Sequence, residues 1–231
     1  MTKRMPRLLL AAAAISIASP AAGNDAAHPT VVELYQSQGC SSCPPAIANI
    51  NKLAVRPDIL ALTFAVTYWD QLGWKDTFAR PEFTARQWAF VHASGRSNVA
   101  TPQTIVNGRA TANGGDAGEL IAAIRSADRG KSGPAITISH DMVQVGPGVA
   151  VKPATIWLVR YDPRPLNVPI RAGENDGRTI THRNVVRSLS AIGIWTGKAV
   201  GVSLRRRDAN LRSAILVQSG AGGPILAAAR L

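Results

Sequence analysis

The stretch Val31-Val32-Glu33-Leu34-Tyr35-Gln36-Ser37-Gln38-Gly39-Cys40-Ser41-Ser42-Cys43-Pro44-Pro45 holds a strand-like opening, both cysteines of the 231-residue chain and two consecutive prolines. Val31 to Tyr35 has strand composition. Beyond the prolines, Ile47, Ile50 and Leu53 or Ala54 recur at helical spacing, which predicts a helix over Pro44 to Ala54. Proline is tolerated only in the first helical turn, where the N–H it lacks has no intrahelical acceptor. The helix therefore starts beside Cys43, with Cys40 just ahead of it. Ile59 to Val66 is a continuous apolar run of the kind found in strands covered on both faces. Strand, helix and strand together read as a βαβ unit with a parallel pair.

Further along, Gln103 to Val106 reads as a strand, Asn107-Gly108 as a hairpin turn and Arg109 to Thr111 as the returning strand. Asp116 to Ala127 follows as a helix with Leu120, Ile121 and Ile124 inward. Between the second strand and this hairpin, Thr67 to Asn98 is an insertion carrying Trp69, Trp74 and Trp88. Pro81 to Ser94 within it is predicted helical, with Phe83, Gln87, Phe90 and Val91 on adjacent turns. Two readings stand for its aromatics: a lid, with Trp69 and Trp74 shaping a substrate groove by the cysteines, or plain packing onto the sheet.

Asp128-Arg129-Gly130-Lys131-Ser132-Gly133-Pro134 is polar and rich in turn formers, and predicts a boundary between a first domain, 24–130, and a second, 131–231. After it the apolar period becomes two. Ala135 to His140, Thr155 to Tyr161, Ala199 to Leu204, Ala214 to Gln218 and Ile225 to Ala229 are short runs separated by turn sequences, the pattern of a smaller, mainly antiparallel, sandwich-like β domain. Asn184 to Ala191 fits a short helix or a bent strand.

Residues 1–23 read as a signal peptide, with Lys3, Arg4 and Arg7 ahead of the short apolar stretch Leu8 to Ala18. That stretch is too short to span a bilayer. A cut after Ala21 or Gly23 predicts a periplasmic or secreted mature chain without a transmembrane segment. Formal net charge is +12, and beyond the leader the excess of bases lies in the second half, densest at Arg205-Arg206-Arg207. The bases are scattered and lack interleaved aromatics, so nucleic acid is not an expected partner. Strand-end charges that block edge pairing account for them better than a docking face does.

A Cys-x-x-Cys entering a helix, with Pro102 later beside it in space, is how a reversible dithiol site is built. The helix N-terminus favours a thiolate on Cys40, the expected nucleophile. Cys43, one turn in, is placed to attack the mixed disulfide, closing the Cys40–Cys43 disulfide. Ser41-Ser42 adds no positive charge, so the helix terminus and its backbone donors are expected to carry the thiolate's stabilisation. Asp70 and Asp76 are the carboxylates available for proton transfer, with helix capping as the equal alternative.

The order strand, helix, strand, then Pro, hairpin and helix resembles thioredoxin-like proteins. That resemblance implies a cis Thr101-Pro102 bond facing the dithiol, these two residues forming the wall where substrate backbone docks. More specifically, Glu33 to Pro45, Tyr68-Trp69-Asp70 with Gly73-Trp74-Lys75-Asp76, Thr101-Pro102-Gln103 with Val106-Asn107-Gly108-Arg109, and Gly173-Glu174-Asn175 with Gly177-Arg178-Thr179 and Asn184-Val185-Val186-Arg187 resemble the secreted thioredoxin-like family of domain of unknown function 1223. Where that pattern has His-Val-Asp before Tyr68, this chain has Ala65-Val66-Thr67, so no role is carried over from that His or Asp.

The expected function is exported thiol-disulfide oxidoreduction, without cofactor or metal, acting on a protein or small-molecule thiol or disulfide and coupled to a membrane redox partner. One alternative is copper binding by the two thiolates with His28, His92, His140 or His182. Another is a non-catalytic binding module with a structural Cys40–Cys43 bond. His182 and Glu174 are expected to hold a turn together rather than line a binding surface.

Overall fold

The computed structural model describes residues 25–204 and 209–231, so the predicted leader and the Arg205-Arg206-Arg207 cluster lie outside the described residues. In chain order the elements are β1 (Thr30–Gln36), α1 (Cys43–Leu53), β2 (Ile59–Ala65), α2 (Pro81–Ala93), β3 (Gln103–Val106), β4 (Ala110–Ala112), α3 (Ala117–Ser126), β5 (Ile136–Ser139), β6 (Met142–Val145), β7 (Ala154–Asp162), β8 (Leu166–Pro169), β9 (Thr179–His182), β10 (Val185–Trp195), β11 (Val200–Ser203), β12 (Arg212–Ser219) and β13 (Ile225–Arg230). The architecture is mixed α/β, with few helices around a large sheet.

That sheet has eight strands in the order β13-β12-β7-β10-β2-β1-β3-β4. β1 and β2 pair parallel from Thr30↔Ile59 to Gln36↔Ala65, with α1 as the crossover. β3 returns antiparallel on the other edge of β1 and continues through a tight turn into β4. Asn107 (φ 48°) and Gly108 (φ 63°) occupy the left-handed region there, which is why an Asn-Gly pair suits the turn. The Asn107 side chain is also structural, accepting from Val31 N at 2.9 Å and donating to the Ala127 carbonyl at 2.9 Å.

Side-chain alternation divides the sheet's two faces. Val32, Leu34, Ile59, Ala61 and Val106 meet Ile47, Ile50, Leu120 and Ile124 from α1 and α3 in one core. Val31, Tyr35, Leu60, Leu62 and Phe64 meet Phe83 and Phe90 of α2 in the other. Ile121, expected inward, is 42% exposed, because α3 turns only Leu120, Ala123 and Ile124 onto the sheet.

A buried ion pair joins α2 to β1. Arg86 Nε and Nη2 reach Glu33 Oε2 and Oε1 at 2.7 and 2.9 Å. Tyr35 donates to Glu33 Oε2 at 2.7 Å, and Arg86 Nη1 donates to Gln218 Oε1 at 3.0 Å. Every oxygen and most guanidinium donors are thus satisfied, the condition for tolerating charge in an apolar layer.

The polar segment 128–134 does not divide the sheet. β10 from the second half lies parallel to β2 at Val185↔Thr63, and Thr63 N donates to the Asn184 carbonyl at 3.0 Å. β7, β12 and β13 then extend the same sheet antiparallel. The physical reason lies in β2, whose seven residues are all buried and which would leave an edge unpaired within the first half alone. The sandwich-like part consists of the sheet β11-β6-β5 laid over β7, β10 and β12 through Val143, Val145, Ile156, Trp195, Ile215 and Val217. Within the span Asn184 to Ala191, Val185 onward is bent strand, since β10 carries register shifts at Val186/Ser188 and Ala191/Gly193. The β8–β9 hairpin leaves the main sheet and packs Ile180, with Ile170 of the connecting loop, beside α1.

Candidate functional site

Cys43 is the first residue of α1, Ser42 is its N-cap without a side-chain cap bond, and Pro44 and Pro45 complete the first turn. The turn into the helix is closed by Cys40 N to the Ser37 carbonyl at 3.2 Å and Cys43 N to the Cys40 carbonyl at 3.1 Å. Both cysteines are free thiols, and both are fully buried. Thr101-Pro102 is a cis peptide bond, and Ser42 Oγ lies 3.4 Å from the Thr101 carbonyl oxygen, so the two segments lie against each other.

The thiols differ sharply in acidity. Cys40 is lowered to about 6, chiefly by a hydrogen bond from the Cys43 thiol, with further donation from the Ser42 and Thr101 hydroxyls and the Ser42 N–H outweighing burial. Ser42 Oγ stands 3.2 Å from Cys40 Sγ. Side-chain donors thus add to the backbone donors expected of a helix start. Cys43 is pushed far above the usual thiol range by burial and by its bond to Cys40.

Two segments cover the pair. From the insertion, Trp69 Nε1 donates to Thr101 Oγ1 at 2.7 Å and Trp74 Nε1 donates to Gln38 Oε1 at 2.9 Å, and both rings pack against the core that holds the cysteines. From the second half comes the turn at Gly173 to Arg178. Asn175 Nδ2 donates to the Gln38 and Cys40 carbonyls at 2.9 and 2.8 Å, and Glu174 Oε2 accepts from Ser41 N at 3.0 Å. The two covers touch: Gly173 sits at φ +75°, a conformation that favours glycine, and a Cβ there would press on Trp74 Cβ at 3.2 Å.

Asp76 and Asp70 organise the insertion. Asp76 accepts from Gln38 N at 2.7 Å and Phe78 N at 2.8 Å, while Asp70 Oδ1 accepts from Asp76 N at 3.1 Å. Burial raises Asp76 to about 6, with the Asp70 charge adding to the rise and the N–H donors opposing it. Tyr68, beside this loop, has a buried hydroxyl and is raised to about 12, mainly by burial and in small part by the cysteines' charge.

Of the residues expected at the site, the structure brings together Cys40, Cys43, Thr101, Pro102, Trp69 and Trp74, with Asp76 one hydrogen bond away through Gln38. Asn175, Gln38 and Ser42 join them without having been singled out by sequence, and Glu174, expected to hold a turn, bonds the dithiol segment itself. Only the string Gly173-Glu174-Asn175 hinted at the distant pair. His182 instead lies fully buried, edge-on to Phe78 at 5.6 Å between ring centroids, with neither ring nitrogen hydrogen-bonded. His92 packs against Trp88, and His28 pairs with Asp25. Among the described residues no group of three His, Cys, Asp or Glu side chains is placed to hold a metal ion. No helix among them is long and apolar enough to cross a membrane.

Comparison with known proteins extends over the whole arrangement. The X-ray structure of a protein from Agrobacterium tumefaciens is similar at 30% identity and a TM-score of 0.70, covering 87% of this chain and 93% of that one. HBP35 of Porphyromonas gingivalis shares the fold at 11% identity and a TM-score of 0.59, over 88% of this chain and 74% of that one. No curated protein matches significantly. Residues 31–218 match the model described as protein of unknown function (DUF1223), and the chain belongs to that family.

Proposed function

We propose that the protein is an exported thiol-disulfide oxidoreductase of thioredoxin-like fold, with Cys40 as nucleophile and Cys43 as resolving thiol. The observation that carries this reading is the divergence of the two thiols, Cys40 lowered to about 6 and Cys43 raised, at a helix start against Thr101-Pro102. A dithiol tuned this way holds one sulfur as thiolate at neutral pH and the other in reserve.

In the reducing direction, the Cys40 thiolate attacks one sulfur of a substrate disulfide. A Cys40–substrate bond forms, the substrate S–S bond breaks, and the departing sulfur leaves with the electron pair. Cys43 then loses its proton to that departing thiolate and attacks Cys40 Sγ, releasing the second substrate thiolate, which takes a proton from water. The substrate gains two electrons and two protons, and Cys40 and Cys43 become a disulfide. The oxidising direction is the reverse. Asp76, with its raised proton affinity, is the carboxylate suited to pass protons here, while Asp70 serves it by binding its N–H. Thr101-Pro102 forms the wall for substrate, with Trp69 and Trp74 above it. The leader-like sequence of residues 1–23 supports a reaction outside the cytoplasm, with a membrane redox partner resetting the pair.

The test is disulfide exchange by the purified mature chain with glutathione or insulin. Turnover that disappears in Cys40→Ser supports the assignment; no exchange in the wild-type chain sinks it. The full burial of both sulfurs favours a second reading, a binding module whose Cys40–Cys43 bond is structural. A reduction potential below roughly −300 mV, the range of structural disulfides, would select it.

A further inference from the structure

The covering turn from the second half brings a charge as well as hydrogen bonds. Asn175 is buried and spends both Nδ2 protons on the carbonyls that flank Gly39, which fixes the backbone entering the dithiol. Its Oδ1 is held in turn by Arg178 Nη1 at 3.1 Å. The neighbouring Glu174 side chain is exposed and is held at Ser41, whose N–H donates to Oε2 at 3.0 Å. Ser41 follows Cys40 directly. A carboxylate is thereby stationed on the backbone of the residue that follows Cys40.

The charge persists wherever Cys40 titrates. The Ser41 bonds hold the Glu174 carboxyl below its usual range, well under the value near 6 at Cys40. The other titratable or charged groups around this segment are Cys43 on α1, Tyr68, which feels the charge of both cysteines, Asp76 of the insertion with Asp70 on its N–H, and, in the same turn as Glu174, Asp176 and the Arg178 that holds Asn175. Asp76 is committed to Gln38 and Phe78, and Arg178 to Asn175. Glu174 is the charged group bonded to the Cys-x-x-Cys segment itself. A negative charge there opposes formation of a second one on the sulfur.

We propose that Glu174 is a positioning residue that restrains the Cys40 thiolate, so that the second half of the chain sets how readily the dithiol gives up its electrons. This rests on the redox reading above and deepens it: removing the charge stabilises the reduced, thiolate-bearing form and makes the pair more oxidising.

The experiment uses the full mature chain, reduced, and follows iodoacetamide alkylation of Cys40 against pH. Glu174→Gln keeps an oxygen for Ser41 N and removes only the charge; Glu174→Asp keeps the charge. In Glu174→Gln at low salt, the alkylation midpoint is expected to fall by roughly half a unit, the size of one solvent-screened charge bonded to the N–H of the next residue. High salt shrinks the difference, and Glu174→Asp stays near wild type. The equilibrium with glutathione shifts about threefold toward the dithiol in Glu174→Gln, matching that half unit. A Glu174→Gln midpoint that is unchanged or higher overturns the inference. Disulfide exchange by the wild-type chain is scored separately: its absence overturns the oxidoreductase reading even where the midpoint moves, whereas exchange with an unmoved midpoint overturns this inference alone.

Discussion

Trp69 Nε1 donates to Thr101 Oγ1 at 2.7 Å, and that single bond ties the insertion to the residue before Pro102. Because the Thr101 oxygen accepts from Trp69, its own proton is left for the dithiol, where it helps lower Cys40. Thr101→Val removes the donor while keeping the shape, and a lost donor destabilises the thiolate. The Cys40 midpoint is expected to rise by about half to one unit, a loss of roughly 1 kcal/mol. Thiolate absorbance against pH checks this, and Trp69→Phe should move the midpoint the same way by less.

The acidity difference predicts a simple pH profile. Alkylation of the reduced chain rises through a midpoint near 6 and then levels, because Cys40 is by then fully ionised and Cys43 stays protonated. Mass spectrometry of the product should find the label on Cys40. A midpoint near the ordinary thiol value of about 8.5 would show that the donors around Cys40 do not act as described.

His182 predicts how stability falls in acid. Burial lowers its folded pKa from 6.5 to about 4, so the unfolded chain binds the proton more readily. Its contribution is complete above the unfolded value and is lost as pH falls from about 6.5 toward 4, at a cost on the order of 3 kcal/mol. Urea midpoints measured across that window should drop, and His182→Phe should flatten the drop even if it lowers the plateau.

The Glu33–Arg86 pair, with side chains only 1% and 4% exposed, is costly to break and cheaper to replace. Arg86→Ala leaves the Glu33 carboxylate buried without its partner, and a loss of about 3–5 kcal/mol is expected by denaturant unfolding. The double variant Glu33→Leu with Arg86→Met should recover much of that. Equal instability of single and double variants would mean that packing of Arg86 on Phe64, Phe90 and Trp157, not charge, dominates.

A chain truncated after Gly130 is expected not to fold. It would lose β10 from the edge of β2, Asn175 from the Cys40 carbonyl, and Ile170 and Ile180 from the core beneath α1. A cooperative unfolding transition from that fragment would show that the first half stands alone.

The elements that sequence revealed are those built from near neighbours. Val31 to Ala65 declared its strand, helix and strand through period and prolines, and Asn107-Gly108 declared its turn through residues that accept positive φ. Thr101-Pro102 was legible as a partner of the cysteines because the order of elements matched a known pattern. The rest depends on pairings that leave no local trace. Ser41 and Glu174 are separated by 133 positions, and nothing near either one requires the other. β10 pairs with β2 through one register position, so the turn formers at 128–134 carry no sign that one sheet crosses them. β8 alternates half-buried and exposed residues and β9 exposed and buried ones over only four positions each, too short for a period to stand out. His182 sits in a polar-looking string, and its burial follows from the β8–β9 hairpin closing over α1.

In the proposed function Cys40 is the sulfur that attacks the substrate and Cys43 the resolving thiol. Cys43→Ser should therefore trap a substrate sulfur on Cys40 when the chain is mixed with oxidised glutathione, giving a mixed disulfide that peptide mass spectrometry assigns to that residue. Cys40→Ser should accumulate far less adduct on Cys43 at neutral pH. The absence of any adduct in Cys43→Ser, or a stronger one on Cys43 in Cys40→Ser, would contradict that assignment.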